Sequence, residues 1–172
     1  MPKFEHRHTV GFEETSLVGN VYFTNYLLWQ GHCREMFLAR HAPGVIRGLE
    51  RGEVAFLTRS CNCEYEGDWG FAALDDVLVE MELQSFRGGR MTLGFTYRHA
   101  ERPELVVARG SQELHCKVRR GELWVPAPFA PELVRALLPY AEGEELREAL
   151  LAALEFSGEG GAEGGGALRA AP

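Results

Sequence analysis

Between Gly11 and Tyr26 the chain reads GFEETSLVGNVYFTNY. The segment offers two carboxylates, Glu13 and Glu14, two hydroxyls, Thr15 and Ser16, and a small-residue break at Gly19-Asn20. A carboxylate can take a proton, and a hydroxyl can attack or hold a water. Ser16 has no histidine beside it, so it admits three readings: nucleophile, water-positioning hydroxyl or plain turn residue. The second is preferred over the first, because a hydroxyl both donates and accepts without needing activation. Glu13 and Glu14 read as a solvated turn, on the usual exposure of glutamate. A helix entered after Asn20 would leave about four backbone N–H groups unpaired at the positive end of its dipole. Amides around Tyr22, Phe23 and Thr24 could then hold a developing negative charge. Ordinary capping by Asn20 or a nearby hydroxyl is the competing reading.

Other reactive types are scattered. Arg34 falls on a helix that otherwise reads as buried, where a guanidinium is costly unless paired. A structural ion pair near Glu35 or with a partner subunit competes there with a functional role. Arg40, near the helix end, suits the helix dipole. His32 and Cys33 are adjacent, but neighbouring helix residues project about 100° apart and make a poor dyad. His6 and His8 share one strand face, a weak metal signal that reads better as surface histidines. Cys61-Asn62-Cys63 has no second pair at zinc spacing, so no metal is expected, and both thiols read as small buried residues.

The elements that must position these groups follow from periodicity. Phe4, His6, His8, Val10 and Phe12 alternate as a first strand. From about Val21 to Arg40, Tyr22, Tyr26, Trp29, Cys33, Met36 and Phe37 recur at helical spacing. Leu27, Leu28 and Leu38 widen the stripe, which predicts a helix wrapped by other structure. Pro43-Gly44 ends it, and Val45 to Arg51 suits a short second helix. Strands follow at Val54–Tyr65, at Val77–Gln84 and Met91–Arg98 as a hairpin across Gly88-Gly89, and at Leu105–Val118, with a short extension at Leu123–Val125. Pro131 opens a helix to about Tyr140, and Glu144 to Phe156 suits a last one. The order predicts an α+β fold: an antiparallel sheet of about five strands around one long helix, because short turns rather than crossover helices join the later strands. Residues 1–156 form the expected domain, and the glycine-rich 157–172 an expected disordered tail.

Composition narrows the class. The net charge of −7 over 172 residues argues against a general nucleic-acid binder. No apolar run has the length of a membrane span, MPKFEHRHTV has no apolar signal core, and the thiols read as reduced, which together suggest a cytoplasmic protein.

With the order set, FEETSLVGNVYFTNYLLWQGHCREMFL resembles the start of hot-dog-fold thioesterases of the 4-hydroxybenzoyl-CoA thioesterase type. Their motif runs roughly D-x-D-x-x-G-x-V-Y-x-x-N-Y, then W, then A-R. Gly19, Val21, Tyr22, Asn25, Tyr26, Trp29 and Arg34 fall on it, and VPAPFAPELVRAL is similar to the end of such domains. The likeness covers about residues 3 to 140. GFEET, LVGNVYF, LLWQGHCREMFL and SCNCEYEGDWGFAALDD resemble more narrowly the thioesterases of enediyne polyketide biosynthesis. The family's acid three residues before the glycine is Ser16 here, where the enediyne branch commonly has asparagine working with a helix arginine that matches Arg34.

The resemblance implies hydrolysis of a linear polyene β-keto acyl thioester from the acyl-carrier domain of an iterative polyketide synthase, with no cofactor. The β-keto acid released can lose carbon dioxide unaided. Ser16, Asn20 and Arg34 would be catalytic, the amides of Tyr22, Phe23 and Thr24 an oxyanion hole, and Tyr65, Trp69, Phe71 and Phe95 would line an acyl channel or, equally, plain core. Arg87, Arg90, Arg119 and Arg120, at predicted turns, are candidates to meet an acidic carrier domain. The family implies side-by-side homodimers with interfacial sites, paired into a homotetramer. A general acyl-CoA thioesterase and a non-catalytic acyl-binding module are the alternatives.

Overall fold

A computed structural model describes residues 3–66 and 70–159. Strand β1 (Phe4–Thr9) leads through a single 3-10 turn at Phe12–Glu14 to helix α1 (Thr24–His41), then helix α2 (Pro43–Glu50). Strands β2 (Val54–Tyr65), β3 (Asp76–Arg87), β4 (Arg90–His99), β5 (Arg102–Arg120) and β6 (Leu123–Pro126) follow. Helices α3 (Pro131–Leu137) and α4 (Glu144–Glu159) close the described chain. The main sheet runs β1-β3-β4-β5-β2, with β6 paired to the end of β5, and each pairing is antiparallel. The sheet curls halfway around α1, as the hot-dog resemblance implied.

Alternation decides the inner face. Val77, Val79, Met81 and Leu83 of β3 and Met91, Leu93, Phe95 and Tyr97 of β4 are buried. The register slips between Leu83 and Ser85, so Phe86 also turns inward despite breaking the parity. Tyr26, Trp29, Cys33 and Phe37 of α1, spaced by three or four residues, pack onto that face. Each fully buried Leu or Phe side chain adds about 1.5–3 kcal/mol.

Three expectations change. Helix α1 is covered on one side only: Leu28 and Met36 are exposed, because five strands span half its circumference. Cys61 is exposed and Cys63 half-buried, because β2 is the sheet's edge strand and most of its middle is uncovered. Helix α4 runs past Ser157, whose hydroxyl bonds back to the Ala153 carbonyl at 2.8 Å, and residues 160–172 of the expected tail lie outside the described residues. No described helix is long and apolar enough to cross a membrane.

Candidate active site

Glu14 organises the turn after β1. Its Oε2 lies 2.7 Å from His8 Nε2 and accepts the Gly11 N–H at 2.8 Å, while Oε1 accepts the Trp29 indole N–H at 2.7 Å. Its carbonyl accepts the Tyr22 N–H and the Asn25 side-chain amide, both at 2.8 Å. The solvated-turn reading therefore fails for Glu14, whose side chain is 12% exposed. Burial pushes its carboxyl up, but the hydrogen bonds from His8, Gly11 and Trp29 outweigh this and hold it below the usual carboxylate range. A depressed carboxyl stabilises the fold fully above its ordinary value of 4.5 and loses that contribution as pH falls through the folded value. Acid melting curves of the wild type should therefore steepen below pH ~4, and Glu14→Gln should flatten them.

Beyond Glu14 the chain makes a tight loop closed by the Thr15–Val21 bridge. Ser16 N–H donates to the Asn20 carbonyl at 2.7 Å, and Gly19 N–H to the Ser16 carbonyl at 2.9 Å. Gly19 has φ +87°, a conformation that favours glycine. At the tip the Ser16 hydroxyl donates to Asn20 Oδ1 at 2.5 Å and accepts from Val18 N–H at 3.3 Å. Ser16 and Asn20 are thus brought together, but an amide oxygen cannot take a proton from a serine near neutrality. Asn20 does not cap α1, whose N-cap, Phe23, has no side-chain hydrogen bond.

The helix entrance keeps two of its three expected donors. Tyr22 N–H is committed to Glu14, which removes it from an oxyanion hole. Asn25 N–H bonds the Tyr22 carbonyl at 3.0 Å. The amides of Phe23 and Thr24 have no hydrogen-bond partner among the described residues, and both residues are exposed. The Tyr65 hydroxyl donates to the Phe23 carbonyl at 2.9 Å, and that of Tyr97 to the Tyr26 carbonyl at 2.6 Å, so both phenols brace the first turn. Burial pushes the Tyr65 phenol up to about 12, which keeps it a donor rather than a base.

Arg34 lies about 15 Å along the axis from Thr24, at 1.5 Å per residue. Its Nη1 donates to Gln112 Oε1 on β5 at 3.0 Å, and no described carboxylate forms an ion pair with it. The structural ion pair near Glu35 is therefore not formed. Burial lowers the Arg34 pKa, with Glu35 opposing, and the guanidinium stays charged near neutrality. Within one chain no contact joins it to Ser16. One turn earlier the buried Gln30 donates to the Asn62 carbonyl at 2.9 Å, and its Oε1 has no partner among the described residues. Sequence reasoning missed Gln30 and Gln112. The signal was present: Gln30 sits on the apolar stripe four residues after Tyr26, and Gln112 shares the inward parity of Leu114.

The remaining candidates separate. Phe71 is wedged among Tyr26, Trp29 and His99, and Phe95 is 3% exposed, so in this structure both belong to the packed core. Tyr65 stands at the surface, and Trp69 lies outside the described residues. Cys33 is buried, its thiol pushed up to about 12 by that burial, and it faces the Val79 carbonyl while His32 is exposed. Arg40 stacks over the Phe4 ring, 5.5 Å from its centroid. Among the described residues no group of three or more His, Cys, Asp or Glu could hold a metal ion.

Known proteins place this arrangement. No protein-family model matches the chain, and no curated protein does. Solved structures match well. The dynemicin thioesterase, whose crystal structures reveal induced-fit and allosteric effects upon polyene binding, is 42% identical with TM-score 0.77, over 83% of this chain and 100% of that one. The 1,4-dihydroxy-2-naphthoyl-CoA thioesterase of Synechocystis shares the fold at 18% identity and TM-score 0.70, over 79% of this chain and 96% of its own. The 4-hydroxybenzoyl-CoA thioesterase of Pseudomonas sp. strain CBS-3 shares it at 16% and 0.65, over 78% and 98%. With 42% identity over an alignment that spans the whole dynemicin enzyme, and the same helix-and-sheet frame, the chain belongs to the hot-dog-fold thioesterases.

Proposed function

We propose that this thioesterase hydrolyses a linear polyene β-keto acyl thioester from the acyl-carrier domain of an iterative enediyne polyketide synthase. The observation that carries the reading is the pair of amides at Phe23 and Thr24, which have no partner among the described residues, in a chain 42% identical to the dynemicin thioesterase. They point a helix N-terminus at the space where a carbonyl oxygen would develop charge. Water adds to the thioester carbon, and the oxyanion rests on the two N–H groups. The C–S bond then breaks, and the thiolate takes the proton the water gave up. A thioester is activated enough for positioned water, so a carboxylate base is dispensable.

Ser16 and Asn20 hold that water in this reading, and Arg34 donates to the thioester region or β-keto oxygen. Two chains pair side by side along β2, whose exposed edge needs covering, together with the exposed Leu28 and Met36. A two-fold there sets the α1 helices antiparallel and brings Arg34 of one chain toward the turn of its partner. Dimers pair further into a homotetramer. The exposed Arg87, Arg90, Arg119 and Arg120 form no ion pair among the described residues and suit an acidic carrier domain.

Turnover of one acyl chain on a carrier domain and on coenzyme A tests the substrate. The carrier ester should be preferred, and a clear preference for the CoA ester would make this a general acyl-CoA thioesterase. Ser16→Asn should keep or raise kcat, since the amide also donates and accepts and reaches further. A large loss would remove Ser16 from the water site.

A further inference from the structure

We propose that Glu14 is a positioning residue of the thioesterase reaction, holding the Phe23 and Thr24 amides where the oxyanion forms. The inference rests on the reading of those amides as the oxyanion donors. One residue grips the donor segment at both ends: the Glu14 carbonyl takes the Tyr22 N–H just before it and the Asn25 side chain just after it, each at 2.8 Å. The Glu14 side chain in turn fixes that carbonyl against two independent elements. It takes the Trp29 indole N–H from the second turn of α1 at 2.7 Å, and His8 of β1 lies 2.7 Å from Oε2. The Gly11 N–H, at 2.8 Å, completes the set.

Such a carboxylate is poorly suited to be the base. Its oxygens accept from the Trp29 indole and the Gly11 amide and lie 2.7 Å from His8, so a proton taken from water would weaken all three contacts by removing the charge. Its charge is better explained by the strength it gives those bonds, since ionised acceptors bind roughly twice as strongly as neutral ones. Free amides stabilise an oxyanion only if they are held in place, and a misplacement of about 1 Å can cost about 100-fold.

The experiment pairs Glu14→Gln with Trp29→Phe. The first replaces one acceptor oxygen by an NH2 group. The second removes only the indole N–H and keeps an aromatic ring in the core. Steady-state kinetics on a carrier-bound acyl thioester are read beside the NMR amide resonances of Phe23 and Thr24. Glu14→Gln should lower kcat about 10- to 100-fold, and Trp29→Phe about 3- to 10-fold, with KM within about twofold of wild type. In both variants the Phe23 and Thr24 resonances should move. Unmoved resonances with kcat within about twofold of wild type would overturn the proposal. Resonances that move while kcat holds would show that these amides are not the oxyanion donors, and the inference would fall with that reading. If the wild type does not hydrolyse the thioester, the proposed function fails, and the resonances alone decide whether Glu14 fixes the two amides.

Discussion

Arg34→Ala should lower kcat by about 100- to 1,000-fold with little change in KM, the loss expected when one preorganised donor to a developing charge is removed. The half-buried guanidinium spends one nitrogen on Gln112 and pairs with no described carboxylate. The cation thus keeps donors for a substrate oxygen. Arg34→Lys should recover only part of the rate, because an ammonium offers no planar fork. Steady-state kinetics on folded variants checks this. A wild-type kcat in Arg34→Ala would remove the arginine from the reaction. Adding separately inactivated Ser16 and Arg34 variants together should restore some activity if the two act across an interface.

The second large effect is on stability. Gly110 of β5 faces Gln30, and a Cβ there would meet Gln30 Nε2 and lie 2.5 Å from the Asn62 carbonyl oxygen. The carbonyl is backbone and cannot swing aside. Overpacking costs about 1–3 kcal/mol, and breaking the buried Gln30–Asn62 hydrogen bond about 1–3 more. Gly110→Ala should therefore lose about 2–6 kcal/mol in a denaturant titration, a large share of the ~5–15 kcal/mol that holds a domain together. The double variant Gly110→Ala with Gln30→Ala should recover part of the loss, because it removes one of the two clashing groups. An unchanged unfolding midpoint in the single variant would mean that the strand pair gives way more easily than its geometry suggests.

What the sequence made legible, and what it hid, follows from the range of the interactions. The β3–β4 hairpin, the helix after Asn20 and the helix at Pro131 were readable because alternation, helical spacing and proline are local signals. Glu14 was misread because its partners lie on β1 and α1, and nothing local marks a glutamate that will be buried between them. The Tyr22 amide was miscounted for the same reason, since its acceptor is eight residues back. Cys61 and Cys63 were misread as buried because a strand's pattern does not say whether it will stand at the edge. The nearness of Ser16 and Asn20, which share a hydrogen bond, was legible because only four positions separate them. The bond that holds Arg34, to Gln112 Oε1, was hidden because it reaches a strand residue 78 positions away.

In the proposed reaction, water placed by the turn and the helix entrance releases an acyl chain from a carrier domain. Intact-mass spectrometry of a polyene-loaded carrier domain mixed with the full chain tests it most directly. The carrier should lose its acyl mass far faster than it does alone. The free polyene acid or its decarboxylated ketone should collect in solution, with no acyl adduct on the thioesterase. A carrier that keeps its acyl group at the uncatalysed rate while it binds the protein would contradict the account, and so would an acyl group found on Ser16.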